Sequence, residues 1–380
     1  YYQSYYRTPS VGSGFSSGTP VMYPLNGVTA YTPYSVVYDP NLKPQNTKSW
    51  ELGGDLGFFD GLINFNYTFS RQDTKDQIFE VPLAGSTGFG SLMTNGGSMY
   101  SNTHEFTLQV NPINTKNFKW DFAFNFSKIN NYVEELAEGV ESIFLGGFTE
   151  PQVRAGIGYK FPVIYGVSFL RDDAGNLIVD EQGLPQAGEE KVIGTVSPDF
   201  QLGFNTTFEF YKFRLSAVLD WKQGGQIYAA TGGLLDYYGT SQQSADYRSM
   251  DYFIVDGVKA DGTKNDIKIY GQFPAGMSEA EKNKSADAQD YFSTLNDISE
   301  SMIQDNSFLK LREISLSYPV WDKNSLKVNV SVFARNILLW SELKGYDPEA
   351  SQGNNNMGGG FERFSLPGTS SYGFGINVNF

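Results

Sequence analysis

The 380 residues contain no cysteine, which removes disulfides, thiol nucleophiles and thiolate metal sites. The single histidine, His104, excludes a multi-histidine metal centre. Basic charge is scarce: 28 Lys and Arg stand against 42 Asp and Glu, for a formal net charge of −14. The sequence shows no basic run that could follow a nucleic-acid backbone, so nucleic acid is not an expected partner. No apolar run reaches the roughly 18 residues a membrane helix needs, and mean hydropathy is −0.34. These facts exclude a helical membrane protein but not a membrane β-barrel, where every second residue is polar. Aromatic residues, by contrast, are plentiful: 30 Phe, 24 Tyr and 5 Trp make up 16% of the chain.

The aromatics fall into a period of two. Along Tyr372–Phe380, Tyr372, Phe374, Ile376, Val378 and Phe380 share one side of an extended strand, opposite Gly373, Gly375, Asn377 and Asn379. The same alternation places Trp50, Leu52, Leu56 and Phe58 opposite Glu51, Gly53 and Asp55. It recurs at Ile63–Phe69, at Phe118–Phe126, at Leu202–Phe210, at Phe213–Trp221 and at Leu326–Val332. Charges opposite aromatic residues suit a wet interior, because a dry core would penalise each by several kcal/mol. A strand set between lipid and water has this pattern, and the expected fold is all-β, a transmembrane antiparallel β-barrel in the bacterial outer membrane. The terminal Phe380 fits a strand that ends such a barrel. Export to that membrane requires a signal; the chain opens on Tyr1-Tyr2 without one, so a longer protein is expected.

Turn signals are alternately short and long. Short connections are expected at Phe59–Gly61, Asn111–Asn117, Tyr211-Lys212 and Pro319–Asn324. Long ones are expected over 10–47, 71–98, 127–198, 224–306 and 335–370. Barrels keep short turns on the periplasmic side and long loops outside. Strands are therefore expected near 48–58, 62–79, 99–110, 117–127, 199–210, 212–223, 307–318, 325–334 and 371–380. A first strand over Tyr1–Arg7 would make roughly ten, with the C-terminus in the periplasm. Within the loops, Asp172–Gly175 reads as a hairpin turn and not as a calcium loop, since the acidic spacing of a calcium loop is missing. Ser278–Asp290 has a helical look.

The register predicts that Glu51, Asp55, Glu105, Asp121, Glu209, Arg214 and Asp220 line the lumen. His104 reads as a lumen or rim residue. These carboxylates sit on wall strands without a nucleophile, metal or paired base, so no enzyme and no cofactor are expected. Tyr237, Tyr238, Tyr252, Phe253 and Trp340 are expected on or near outside loops, where their rings could stack on sugars, pack on peptides or seat a partner protein. Free loops of this length would be mobile; ordering them costs on the order of 1–2 kcal/mol per residue, which a partner surface would offset.

Several segments, in family order across most of 40–380, resemble the SusC-like branch of TonB-dependent outer-membrane transporters. They include Asn41–Gly61, Asp73–Asp76 with Val81–Gly88, Asn125–Val133 and Ile193–Phe200. The most specific are Phe308–Tyr318, and Ala334–Asn336 continuing to Lys344-Gly-Tyr-Asp-Pro348. Here that last loop departs into Asn354–Gly360, which reads as a flexible linker. The resemblance implies a barrel of about 22 strands around a plug, of which residues 1–380 would supply roughly the last ten. It implies a SusD-like lipoprotein outside and a TonB complex acting through an N-terminal region absent from this chain. It also marks Tyr372, Phe374, Ile376, Val378 and Phe380 as similar to the assembly signal of outer-membrane barrels. Two function classes follow: energised import of oligosaccharides or oligopeptides, or a structural subunit of a larger outer-membrane assembly.

Overall fold

A computed structural model describes residues 35–380 apart from 137–138, 148–149, 324–325, 344–345 and 352–358. Before residue 35 it describes only the two-residue strands Tyr6–Arg7, Ser10–Val11, Thr19–Pro20 and Thr32–Pro33. The main structure is a sheet of nine antiparallel strands. They are β1 (Asn46–Phe58), β2 (Ile63–Lys75), β3 (Ser98–Asn114), β4 (Phe118–Glu135), β5 (Phe200–Phe210), β6 (Phe213–Gln223), β7 (Phe308–Lys323), β8 (Leu326–Ser341) and β9 (Ser371–Asn379). Each pairs with its sequence neighbour, and β1 and β9 are the two edges. Of the strand expected over Tyr1–Arg7, the described part pairs with Thr32–Pro33 and not with the wall. No helix among the described residues is long and apolar enough to cross a membrane.

Alternation in sequence becomes two faces because paired residues of an antiparallel ladder point the same way. One row of the apolar face runs Phe58, Ile63, Val110, Phe122, Thr206, Ala217, Ile314, Ala334, Tyr372. It begins at the short-turn end of β1 and finishes at the long-loop end of β9. That steady stagger, roughly one residue per strand, is the shear needed to tilt strands and curl a sheet into a barrel. From upper to lower apolar residue, Trp50–Phe58, Phe213–Trp221 and Tyr372–Phe380 each span the same length. Tilted as barrel strands are, such a span stands about 23 Å tall, close to the apolar band of a membrane barrel.

Four short connections lie at one end of the sheet. Phe59–Leu62 closes with Leu62 N–H donating to the Phe59 carbonyl at 3.1 Å. Asp60 and Gly61 both have positive φ, 53° and 84°, as a primed hairpin turn requires. The strands run further than the alternation suggested. β4 extends to Glu135, β8 to Ser341, and β7 passes through Pro319 to Lys323. Pro319 read as a turn residue, but it sits in the strand next to a register shift, and Pro112 occupies a similar shift in β3. Bulges are where a strand tolerates a residue without an N–H.

At the other end the long connections fold on one another, contrary to the expectation of mobile loops needing a partner. Four strands, Ser142–Gly147, Gln152–Gly156, Val163–Phe169 and Ala187–Thr195, form one sheet. The helical turn Ser299–Met302 packs on it, and α1 (Ala230–Tyr237), α2 (Gln242–Ser249) and α3 (Ala288–Asn296) pack on one another, α1 and α3 also on that turn. Val153 and Ile164 from one loop bury against Tyr228, Ala230 and Met302 from the next and Phe361 from the last. Burial of each of the larger side chains contributes about 1.5–3 kcal/mol toward ordering the loops. The expected helical stretch splits into a turn at Glu279–Lys282 and helix α3, each opened by a capping box, at Ser278 and Asp287. The Asp172 turn is a hairpin: its Oδ1 accepts the Ala174 and Asn176 N–H groups, and Gly175 takes φ 88°. Of the Asn354–Gly360 linker, residues 354–358 lie outside the described residues, as do Lys344 and Gly345 of the family-like loop.

Candidate functional site on the polar face

The polar face carries its own continuous rows. One reads Asp55, Asn66, Thr107, Asn125, Gly203, Asp220, Lys310. Asn66 Nδ2 donates to Asp55 at 2.6 Å and Thr107 to Asn125 at 3.1 Å, so amide and hydroxyl groups tie neighbouring strands together. The register places all seven residues expected to line a lumen on this face. Glu51 stands opposite Ser70, Glu105 between Thr68 and Ser127, and Asp121 opposite Thr207. They do not converge on one point. Glu209 and Arg214 pair across strands at 3.5 Å near the short turns, while Asp220 lies toward the long loops.

Asp220 belongs to a charged cluster that strict alternation hid. Between Leu311 and Glu313, β7 carries one more residue than β6, and the extra residue is Arg312. A bulge of this kind re-aims side chains. Arg312 Nη2 meets Asp220 at 2.5 Å, and its two Nη groups hold both oxygens of Glu349. Lys310, its side chain only 6% exposed, reaches Glu349 at 2.6 Å and Asp347 at 3.7 Å. Asp347 also accepts the Gly368 N–H at 2.8 Å. The β8–β9 loop is thus pinned to the polar face by two cations and three carboxylates. Burial alone would raise the Glu349 carboxyl, but the hydrogen bonds from Arg312 and Lys310 outweigh it and hold it below its usual range. The available signal was the consecutive Arg312-Glu313 pair, which breaks the alternation of Leu309-Lys310-Leu311.

Facing β8, the irregularity is met by Asn336, whose φ is 52°. Its Nδ2 donates to the Thr369 carbonyl, and the Asn336 carbonyl accepts from Ser370 Oγ at 2.6 Å, which fixes the way into β9. Arg335 pairs with Glu313 at 2.7 Å.

A cavity of about 1090 Å³ opens on the polar side beneath the cap. Gln72, Gln201, Asn131 and Thr103 line one part, Ile129, Phe161 and Pro162 another, with Lys222 and Glu349 at its edge. Such a surface offers neutral donors and acceptors next to an apolar wall. Among the described residues no group of His, Asp and Glu is spaced to hold a metal ion.

The aromatic residues expected at the loops separate. Tyr238 and Tyr252 are 70% and 46% exposed on the cap, and Tyr237 is half-buried beside Tyr238. Phe253 packs instead inside the cap against Tyr247 and Tyr291. Trp340 is a β8 residue opposite Leu309, on the apolar face of the wall and not in a loop. His104 likewise lies on the apolar face, near its long-loop margin, where Tyr67 Oη meets its Nδ1 at 2.9 Å. Tyr372, Phe374, Ile376 and Val378 lie along the apolar face of edge strand β9, followed by Phe380.

A family model described as "TonB dependent receptor-like, beta-barrel" matches residues 2–262. The chain belongs to that family. TonB-dependent receptor P3 of Formosa agariphila is 26% identical over 376 residues, covering 90% of this chain and 34% of its own length. TonB-dependent receptor SusC of Bacteroides thetaiotaomicron is 26% identical over 362 residues, covering 87% of this chain and 32% of its own. The resemblance to the SusC-like branch is borne out. A structure of a RagAB peptide importer in a closed-closed state superposes with a TM-score of 0.63 at 18% identity. It covers all of this chain and 38% of that one, a likeness of fold. The chain spans about a third of the length of these relatives. Membership of this barrel family implies the bacterial outer membrane, and the nine strands are part of a transmembrane wall.

Proposed function

We propose that this chain forms part of the wall and the outer cap of a TonB-dependent importer of oligopeptides or oligosaccharides. The observation that carries this reading is the polar-lined cavity under the cap, where amide and hydroxyl groups stand beside an apolar wall. Extended oligomers present both kinds of surface, and a porin-sized hole would need neither. The name of the RagAB peptide importer supports the peptide alternative, and the SusC-like branch supports oligomer uptake in general. In this reading Glu51, Asp55, Glu105, Asp121, Glu209, Arg214 and Asp220 hydrate the lumen. The long loops face outward, the C-terminus lies in the periplasm, a SusD-like lipoprotein sits on the cap, and a TonB complex acts through a part of the protein outside residues 1–380.

The pinned β8–β9 loop favours a second reading, a barrel whose mouth is filled by its own chain and which serves as a scaffold in a larger assembly. Deleting the gene and following labelled oligopeptides and oligosaccharides separates the two. Import predicts loss of uptake of one class, restored by the full-length gene and abolished when the proton-motive force is collapsed. Unchanged uptake of both classes with a disturbed outer-membrane assembly would favour the scaffold.

A further inference from the structure

The apolar face ends differently on its two halves. On β5–β9 its margin toward the long loops carries Phe200, Trp221, Leu309, Trp340 and Tyr372, without charge. On β2–β4 the same margin carries three basic residues. His104 and Lys128 are direct cross-strand partners, and Arg71 sits one row further out opposite Asn102, which itself faces Asn130. Phe69 shares the row of His104 and Lys128, its ring 4.8 Å from that of His104. Immediately below lie Tyr67, Phe106 and Phe126, with the Phe106 and Phe126 rings stacked at 4.7 Å. Immediately above, Tyr100 and Tyr132 stack at 5.5 Å, and the Arg71 guanidinium lies 4.5 Å over Tyr100. Asp73 pairs with Arg71 at 2.7 Å, and Glu134 lies beyond, so the carboxylates stand on the far side of the cations from the apolar band. Lys128 is in no ion pair among the described residues.

A cation at the edge of a hydrocarbon layer with no carboxylate to meet must either reach up to interfacial water or take an anion at the headgroup level. The neighbouring rings leave a broad aromatic surface leading up to Lys128, and the margin on β5–β9 shows that the wall needs no charge at this level. The amphiphile that matches has acyl chains long enough to lie on Tyr67, Phe106 and Phe126, and a phosphate at the level of Lys128, His104 and Arg71. We infer that β2–β4 bind a phosphorylated glycolipid of the outer leaflet. The phosphate meets Lys128 and the His104 ring from the lipid side, and Arg71, oriented by Asp73 and Tyr100, supplies the second charge. This rests on the reading that the long-loop end faces outward.

The test uses the full-length protein purified from its own outer membrane in mild detergent, with bound lipid extracted and quantified against protein. Wild type is expected to retain phosphorylated glycolipid. Lys128→Ala combined with His104→Ala should lower retention about tenfold, while Lys128→Arg should keep it, and Lys212→Ala at the short turns should change nothing. Folding of each variant is checked by its heat-modifiable migration. Equal glycolipid on wild type and the double variant would overturn the inference, as would none on wild type. Lys128-dependent retention of a phospholipid in place of glycolipid would overturn the outer-leaflet assignment and would locate the fault in the orientation of the barrel. Loss of import with lipid retention intact would bear on the proposed function alone.

Discussion

At the scale of single residues, the two faces make opposite demands on substitution. Ile376 projects from the apolar face of β9 opposite Val330, and Asn377 from the polar face opposite Asn329. A lysine at Ile376 should reduce the folded fraction, costing about 2–4 kcal/mol if the residue sits at the membrane midplane, whereas a lysine at Asn377 should be tolerated. Nitroxide labels check the same point: lipid-soluble oxygen should quench position 376 and a water-soluble relaxant position 377, and the reverse would mean the register is off by one. Phe380, 98% exposed at the end of the apolar row, should matter to assembly well beyond its area. Deleting it is expected to lower the yield of folded protein far more than Asn379→Ala does; equal yields would make it ordinary apolar surface. The alternation that supports these expectations was legible because lipid and water select opposite residues at every step. Arg312 was not legible in the same way. Its place on the polar face depends on a bulge, a shift of one residue whose cause lies in how three strands meet.

At the scale of elements, the wall and the cap differ in what holds them. Wall strands are specified by their own sequence, so their existence could be read from one stretch at a time. Their upper ends could not, because beyond the apolar band β4 passes through Asn130, Asn131 and Glu134 with no face to alternate against. The cap has no local period either: Val153, Tyr228 and Phe361 meet across more than two hundred residues, and only tertiary packing brings them together. Phe292 of α3 is buried against Tyr247 and Tyr291. Phe292→Ala should cost about 3–5 kcal/mol, confined to the cap. The measurable result is faster proteolysis within 224–306 while the barrel keeps its heat-modifiable migration; loss of both together would show cap and wall to be one cooperative unit.

The pinned β8–β9 loop is an element held by charge, and its acid sensitivity has a definite sign. Glu349 has a depressed pKa in the folded protein, so its contribution is complete above the ordinary carboxylate value of 4.5 and is lost as pH falls below that. Because residues 1–380 contain no cysteine, Ser351→Cys gives a single site for a spin label within them. The label should be immobile from about pH 7 to about pH 5 and mobilise in more acid solution. With Glu349→Gln added, mobility should be high at neutral pH and flat across the range; an unchanged acid transition in that variant would assign it to another group.

At the scale of the whole molecule, the cap decides how a partner would be held. Because the loops already carry a core, a lipoprotein need not order them, and affinity would come from surface that is still uncovered. Tyr238, at the C-terminal cap of α1, is the most exposed aromatic residue of the cap among the described residues, and Tyr252 stands out nearby in sequence with the Lys268 ammonium 4.1 Å from its ring. Rings presented this way, rigid and amphipathic, are favoured at the centres of interfaces. Phe253 and Tyr291, by contrast, are spent on the cap interior, so trimming 224–306 would destroy the surface along with its support. The informative change is therefore at the surface. Replacing Tyr238 and Tyr252 by Ser should leave the barrel folded and the cap protease-resistant while lowering recovery of a SusD-like lipoprotein from the intact outer membrane by tenfold or more, since two lost contacts of about 1 kcal/mol or more each compound. Full recovery with both rings removed would place the partner on another part of the cap, and absence of any such lipoprotein from wild-type preparations would remove the pairing from the proposed function.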